Sequence, residues 1–225
     1  MSRYRLLVFD WDGTLMDSIG SIVACAHAAA VEMGLPPAPE AELRAAVGLG
    51  IADTIQRLAP GADADQQRRM IEAYRRHWLE TYCHRPRLFA GAAAALAELD
   101  RAGYLLALAT GKGRRGLDLD LAATGLGERF AATRTADQAP SKPHPRMLLE
   151  LLDELGAGAG ESLMVGDSRW DLEMAASAGV PAVAVATGTW SRDALAGYGP
   201  VATLGGVAEL PGWLAGGGVR SGSRR

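Results

Sequence analysis

The stretch that decides the fold lies early in the chain and reads Leu6-Leu7-Val8-Phe9-Asp10-Trp11-Asp12-Gly13-Thr14. Its apolar run is typical of a strand that is buried on both faces of a parallel sheet. Two carboxylates follow at once, at a place where burial no longer explains them. Gly13 and Thr14 then let the backbone bend and expose its N–H groups to an anion. This combination suits a hard cation and a phosphoryl group.

Composition excludes several classes of protein. The 225 residues allow one or two domains, and 48% hydrophobic with 22% charged residues is typical of a soluble globular chain. A net charge of −3 gives no reason to expect nucleic acid or an anionic membrane as partner. Cys25 and Cys83 are too few for a disulfide framework. No signal peptide and no long apolar span is recognised, so a cytoplasmic location is expected.

Further apolar runs alternate with helical periodicity along the rest of the chain. Strands are predicted over residues 104–109, 162–165 and 182–186, and shorter ones near 130–135 and 201–204. Between them, apolar residues at helical spacing indicate helices over 147–155, closed by Gly156, and over 170–178. This alternation predicts an α/β fold, a doubly wound parallel sheet covered by helices on both faces.

One interval is too long for a single crossover helix. Residues 17–87 are helical by pattern, beginning with a helix that Asp17 or Ser18 is placed to cap. We therefore predict an α/β core of residues 1–16 and 88–215 with a helical insertion of residues 17–87. Residues 216–225 have no packable pattern and are predicted to be disordered.

Three more polar groups follow later strands: Thr110-Gly111-Lys112, Ser141-Lys142-Pro143-His144-Pro145 and Gly166-Asp167-Ser168-Arg169-Trp170-Asp171. Because ligands bind outside the carboxyl ends of parallel strands, all of them are expected at one edge of the sheet with Asp10 and Asp12. Thr110 either donates to a phosphate oxygen or caps the following helix.

Lysine is rare in this chain, since only Lys112 and Lys142 occur among 23 basic residues. Two prolines flank Lys142 closely and fix the backbone around it, which indicates a point charge that arginine could not replace. Lys112 lies in a second polar group, but there chance placement is an equal alternative.

The order of these motifs resembles the haloacid dehalogenase-like hydrolase superfamily, in its phosphoglycolate-phosphatase-like branch. The resemblance rests on D-x-D-G-T-L-x-D-S, T-G-K, S-K-P-x-P and G-D-S-x-x-D, and it covers the chain from Arg5 to about Leu204. It implies a Rossmann-like core in which residues 17–87 form a mobile, all-helical cap.

The resemblance also implies the roles of the site residues. Asp10 is expected to be the nucleophile that forms an aspartyl-phosphate, and Asp12 the general acid and base. Thr110, the Gly111 N–H and Lys142 are expected to hold the phosphoryl group.

A magnesium ion is the cofactor that the resemblance implies. Its expected ligands are the Asp10 carboxylate, the Asp12 backbone carbonyl and Asp167, with Asp171 as a further ligand or as a support for the bound waters.

The expected function is hydrolysis of a small phosphomonoester metabolite, with 2-phosphoglycolate as the best single candidate. A sugar-phosphate phosphomutase and a pyrophosphatase of the same superfamily stay open. A dehalogenase is disfavoured by Asp12, and an imine-forming phosphonatase by the absence of lysine from residues 15–90. A non-enzymatic alternative is a receiver-like regulatory domain.

The expected partner is a small phosphorylated metabolite, without nucleic acid or membrane, and the expected state is a monomer or homodimer.

Other residues are weaker candidates for a role in the site. Position 111 is glycine where many members of the family carry asparagine, and Trp170 is expected at the pocket rim. His27 either contacts substrate or belongs to the cap, and His144 either touches the site or begins a helix. Residues 48–53 are expected to face the site and help select the substrate.

Overall fold

The computed structural model describes residues 3–82 and 87–217, and its centre is a six-stranded sheet in the order β3-β2-β1-β4-β5-β6. Every pair of neighbouring strands is parallel. The predicted parallel sheet is therefore confirmed. Its strands are β1 (Leu6–Phe9), β2 (Leu105–Thr110), β3 (Ala132–Thr135), β4 (Ser162–Gly166), β5 (Ala182–Val185) and β6 (Ala202–Leu204).

The helices divide into those that precede β2 and those that follow it. Between β1 and β2 lie α1 (Ile19–Glu32), α2 (Glu40–Ala46), α3 (Ile51–Leu58), α4 (Ala64–His77), a π-helical turn (Trp78–Tyr82) and α5 (Ala92–Arg101). The remaining helices are α6 (Arg114–Thr124), α7 (Arg146–Leu155), α8 (Arg169–Ser177), α9 (Arg192–Ala196) and α10 (Leu210–Ala215).

Each face of the sheet buries its own apolar cluster. Helices α5, α6 and α10 cover one face, with Leu96, Leu117 and Leu210 buried against it. Helices α7, α8 and α9 cover the other face with residues such as Leu148 and Leu172. Each such leucine contributes about 1.5–3 kcal/mol through burial. This double coverage explains why the run before Asp10 is apolar without alternation.

We refer to α1–α4 and the turn after them as the cap. The cap has its own small core, built around Ile19, Val23 and Leu43. The two connections to the sheet pair with each other, because the Asp17 N–H donates to the Arg87 carbonyl at 2.8 Å and the Phe89 N–H to the Leu15 carbonyl at 2.9 Å. The division into 1–16 with 88–215, and 17–87, stays a prediction.

The structure differs from the predictions at a few strand and helix ends. The strand predicted over 104–109 begins and ends one residue later, so Thr110 closes β2. The expected side-chain cap of α1 is wrong: Ser18 occupies the N-cap position, but its hydroxyl donates to Asp12 Oδ1 at 2.6 Å instead of accepting a helix N–H. Gly156 ends α7 in the left-handed conformation, with φ of 58°, as predicted.

Some of the predictions concern residues that the structure does not describe. Cys83, His84 and most of the predicted tail, from residue 218 onward, lie outside the described residues. Cys25 is free and buried. Across the described ranges, no helix combines the length and the hydropathy that a membrane crossing needs.

Candidate active site

The carboxyl ends of four adjacent strands bring the predicted residues to one edge of the sheet. Asp10 and Asp12 follow β1, Thr110 ends β2, Lys142 lies in the loop after β3, and Asp167 with Asp171 follows β4. All six side chains are buried. Burying a charged side chain costs free energy unless the charge is paired. The contacts among these side chains therefore determine the chemistry of the site.

Lys142 lies between two carboxylates. Its Nζ donates to Asp10 Oδ1 and to Asp171 Oδ1, both at 2.6 Å, and the side chain is fully buried. Burial opposes the ammonium charge, but the two facing carboxylates outweigh it and raise the pKa of Lys142 above its ordinary value. Lys142 is therefore a fixed positive charge at the site.

Three carboxylates converge beyond this lysine. Oxygens of Asp10, Asp167 and Asp171 all lie within 4.8 Å of one another. Burial raises the pKa of Asp10 to about 7, against the lowering effect of Lys142 and with further raising by Asp171. Burial and the charges of Asp10 and Asp171 raise the pKa of Asp167 well above its ordinary value. One ammonium is thus too little positive charge for the cluster.

These residues fit a hard divalent cation. Asp10 Oδ2 is buried and accepts no hydrogen bond within the described ranges. It is a free carboxylate oxygen beside two more carboxylates, the donor type that Mg²⁺ takes. A bound dication would supply the positive charge that the raised pKa values indicate is lacking.

The remaining contacts of Asp167 and Asp171 fix their orientation. Thr14 Oγ1 donates to Asp167 Oδ1 at 2.7 Å, while the Ser168 hydroxyl and N–H donate to Asp171 Oδ2 at 2.6 and 3.1 Å. A Cβ at Gly188 would lie 1.6 Å from Asp167 Oδ2, so only glycine allows that backbone to pass.

Thr110 and Gly111 form the floor of the site at β2. The Thr110 hydroxyl accepts the Lys112 N–H at 3.1 Å, and Gly113 occupies the N-cap of α6, so the alternative in which Thr110 caps that helix is wrong. A Cβ at Gly111 would lie 2.4 Å from the Gly48 carbonyl oxygen. Glycine at this position therefore permits the close approach of a cap loop.

Lys112 forms a second buried cluster. Its Nζ lies 3.2 Å from Asp12 Oδ1, 3.3 Å from Asp120 Oδ2 and 3.8 Å from the centre of the Trp78 ring. Burial opposes its charge, but Asp12 and Asp120 raise the pKa of Lys112. These contacts argue against the chance placement considered for this lysine.

Asp120 is a site residue that sequence reasoning missed. It is buried on α6, where its Oδ2 also accepts the Trp11 indole N–H at 2.9 Å. Burial raises its pKa, against the lowering effect of Lys112. The available signal was an acidic residue three positions after Leu117, which is buried on the same helix.

Hydrogen bonds seat the cap on the sheet edge. The Gly50 N–H donates to Ser141 Oγ at 2.7 Å, and Thr189 Oγ1 donates to the Arg44 carbonyl at 3.0 Å. Trp170, predicted at the pocket rim, instead lies buried beneath the cap and donates from its indole to the Ala45 carbonyl at 3.1 Å. Of residues 48–53, Gly48, Leu49 and Ile51 line the cavity of the site, whereas Ala52 and Asp53 are exposed and do not.

His27 and His144 have structural contacts. A ring nitrogen of His27 lies 3.3 Å from the Ala38 carbonyl oxygen inside the cap, which favours the cap interpretation over substrate contact. His144 Nδ1 accepts the Arg146 N–H at 3.2 Å where α7 begins, as the helix-start interpretation predicts.

Comparison with known proteins agrees with this geometry. Residues 7–185 match the family model of haloacid dehalogenase-like hydrolases. A phosphoglycolate phosphatase of Mesorhizobium japonicum is 35% identical over 201 residues, which cover 85% of this chain and 86% of that protein. A plasmid phosphoglycolate phosphatase of Cupriavidus necator is 32% identical over 215 residues, 92% of each chain.

A solved structure gives the same result for the fold. The crystal structure of a predicted phosphoglycolate phosphatase from Haemophilus somnus superposes with a TM-score of 0.84 at 26% identity, covering 93% of this chain and 97% of that one. The chain therefore belongs to the haloacid dehalogenase-like hydrolases, in the branch that includes the phosphoglycolate phosphatases.

Proposed function

We propose that this protein hydrolyses phosphomonoesters in a Mg²⁺-dependent reaction that passes through an aspartyl-phosphate on Asp10. One observation carries the proposal: Asp10 is buried, its Oδ1 accepts from Lys142 Nζ at 2.6 Å, and its Oδ2 accepts no hydrogen bond from the described residues. A carboxylate oxygen held in this way is available to attack phosphorus.

The reaction has two steps that use the same pair of carboxylates. Asp10 attacks phosphorus, the bond from phosphorus to the ester oxygen breaks, and Asp12 gives that oxygen a proton so that an alcohol leaves. A water molecule then loses a proton to Asp12 and attacks phosphorus, which releases inorganic phosphate and restores Asp10. Ser18 and Lys112 hold the Asp12 carboxylate for this work. General acid–base catalysis contributes about 10²–10⁴-fold.

Charge compensation makes attack by an anion on an anion feasible. Lys142, the Thr110 hydroxyl and the Gly111 N–H would bind the oxygens of the transferring phosphoryl group. Asp10, Asp167, Asp171 and the Asp12 carbonyl would hold Mg²⁺, which when bound neutralises charge on those oxygens.

The names of the relatives make 2-phosphoglycolate the first compound to assay. A phosphomutase and a pyrophosphatase are the alternatives within the family, and the lack of lysine in residues 15–90 weighs against the mutase. A receiver-like domain needs neither Asp12 nor the cap. The cytoplasmic location and the state as monomer or homodimer stay predictions.

The test is release of inorganic phosphate from a panel of phosphomonoesters, sugar phosphates and pyrophosphate. Wild type, Asp10→Asn and the exposed control Asp153→Asn are compared with Mg²⁺ and with chelator. We expect Mg²⁺-dependent release from wild type and from the control only. Absence of release from every compound by folded wild type would contradict the proposed function.

A further inference from the structure

The most informative feature outside the reacting groups is the cavity that opens from them into the cap. It has a volume of about 630 Å³ and is lined at one end by Asp10, Asp12, Thr110 and Lys112. Cavities of about 300–1,000 Å³ hold drug-sized ligands. A two-carbon glycolate group would leave most of this space empty.

Most of the remaining lining is apolar. Helices α1 to α4 contribute aliphatic side chains to it, among them Ile22, Ala26, Leu43, Ile55, Leu58 and Met70. Ala29 and Ala30 on α1 also line it and leave space where larger side chains would fill it. A surface of this kind gains free energy by removing an apolar ligand from water, at about 0.8 kcal/mol for each methylene.

Helices α1, α2 and α3 contribute only uncharged residues to the cavity. At the inner end the Lys112 ammonium already faces Asp12 and Asp120. The remaining charged lining residues, Arg75, Arg115 and Asp137, are exposed, and Asp137 lies near the inner end, where its carboxylate accepts the Arg114 N–H at 3.0 Å. A substrate carboxylate next to the phosphoryl group would therefore meet a lysine that is already paired, with Asp12 close by.

We propose that the cap cavity binds the organic part of the substrate and that this part is an uncharged, apolar alcohol larger than glycolate. This inference rests on the proposed function, because it places the phosphoryl group at Asp10. The cavity is continuous from Asp10 and Asp12 into the cap, so an ester whose phosphoryl group meets Asp10 extends its alcohol part between α1 and α3. Hydrolysis by the two steps above would release the apolar alcohol and inorganic phosphate.

The first test is a homologous series of substrates. kcat/KM is measured for wild type with Mg²⁺ on straight-chain alkyl phosphates from ethyl to octyl and on 2-phosphoglycolate. We expect kcat/KM to rise about fourfold with each methylene until the cavity is filled. The longer esters should exceed 2-phosphoglycolate. A flat or falling series, with 2-phosphoglycolate the best substrate, would overturn the inference and leave the proposed function intact.

A binding measurement separates this inference from the chemistry. Calorimetry gives Kd for straight-chain alkylphosphonates, whose carbon–phosphorus bond resists hydrolysis, in the presence of Mg²⁺. We expect Kd to fall with chain length in parallel with the series above. Tightening with length in a protein that releases no phosphate would support the cavity and contradict the proposed function. Equal Kd values for all lengths would contradict the cavity.

A matched pair of variants locates the effect. Ala26→Phe fills the cavity from α1, whereas Ala52→Phe adds the same ring at an exposed position of α3 outside the lining. We expect Ala26→Phe to lower the ratio of kcat/KM for hexyl phosphate over ethyl phosphate at least tenfold, and Ala52→Phe to leave that ratio as in wild type. An unchanged ratio in folded Ala26→Phe would place the alkyl chain elsewhere.

Discussion

Each of the two lysines of this chain lies between two carboxylates, but the surroundings of the two ammonium groups differ. Lys142 lies between Asp10 and Asp171, and both of these acceptors follow strands of the sheet. Lys112 lies between Asp12 and Asp120, but its ammonium is also covered by Trp78, which belongs to the cap.

This difference assigns different tasks to the two ammonium groups. Neither carboxylate that accepts from Lys142 belongs to the cap. In the Lys112 cluster, Trp78 of the cap lies over the ammonium, and Ser18, the residue before α1, donates to Asp12. The cap thus covers the ammonium that holds the proposed acid and base.

The largest effect is expected from Lys142→Met. The variant leaves Asp10 and Asp171 without their shared ammonium and removes a donor to the phosphoryl group. We expect kcat to fall about 10³-fold, the upper range for loss of one such donor. Lys142→Arg should not rescue it, because a planar guanidinium does not replace a point charge held at 2.6 Å from two oxygens. Steady-state phosphate release measures both variants, and kcat above a tenth of wild type would contradict this role.

The next largest effect is expected in metal binding, which should depend on the carboxylates beside Lys142 and not on the Lys112 cluster. Mg²⁺ at 100 times its Kd stabilises a folded protein by about 2.7 kcal/mol. For a chain of this size we expect Tm to rise by about 5–10 °C in thermal unfolding. Asp167→Asn should lose most of that rise, whereas Asp120→Asn, in the Lys112 cluster, should keep it. Equal loss in both variants would place the ion elsewhere.

The raised pKa of Asp10 predicts the pH dependence of this effect. Without metal, Asp10 in the folded protein binds its proton up to about pH 7, whereas the unfolded chain releases it near 3.8. The resulting stabilisation is complete below the unfolded value and is lost as pH rises to about 7. Because Mg²⁺ competes with this proton, its rise in Tm should be larger at pH 8 than at pH 6. A smaller rise at pH 8 would contradict the assignment of Asp10.

A smaller loss of activity is expected from Lys112→Met. The change frees Asp12 from its ammonium partner but leaves the Ser18 hydrogen bond, so we expect kcat to fall about tenfold. Removing one partner from a buried ion pair costs about 3 kcal/mol of unfolding free energy. The double variant Lys112→Met with Asp120→Leu should recover part of that stability without recovering kcat. Denaturant unfolding and phosphate release together test this, and recovery of both would reduce Lys112 to a structural role.

The smallest effect should come from the cap side of the same cluster. Trp78→Leu removes the ring over the Lys112 ammonium and keeps an apolar side chain in its place. A cation–π contact contributes about 0.5–2 kcal/mol, so we expect kcat/KM to fall about threefold. The Mg²⁺-induced rise in Tm should match wild type. A reduced rise would mean that the cap also shapes the metal site.

The contrast between the clusters also explains what sequence could predict. Asp10, Lys142 and Asp167 follow strand ends, and the parallel sheet alone brings strand ends together. Asp12 joins Lys112 and Asp120 only because the segment after β1 packs against α6, where Asp120 also accepts the Trp11 indole N–H, and this packing leaves no local signal in the sequence. The requirement for glycine at position 111 likewise arises from the approach of the Gly48 carbonyl. Tertiary contacts between segments far apart in sequence decided these features.

The proposed function depends most directly on transfer of the phosphoryl group to Asp10. We would quench wild type with acid during turnover of the best substrate, reduce it with borohydride, and sequence its peptides by mass spectrometry. Borohydride converts an aspartyl-phosphate to homoserine, so we expect homoserine at position 10, only with Mg²⁺ and not in Asp10→Asn. Sustained phosphate release with unmodified Asp10, or with the label at another residue, would contradict it.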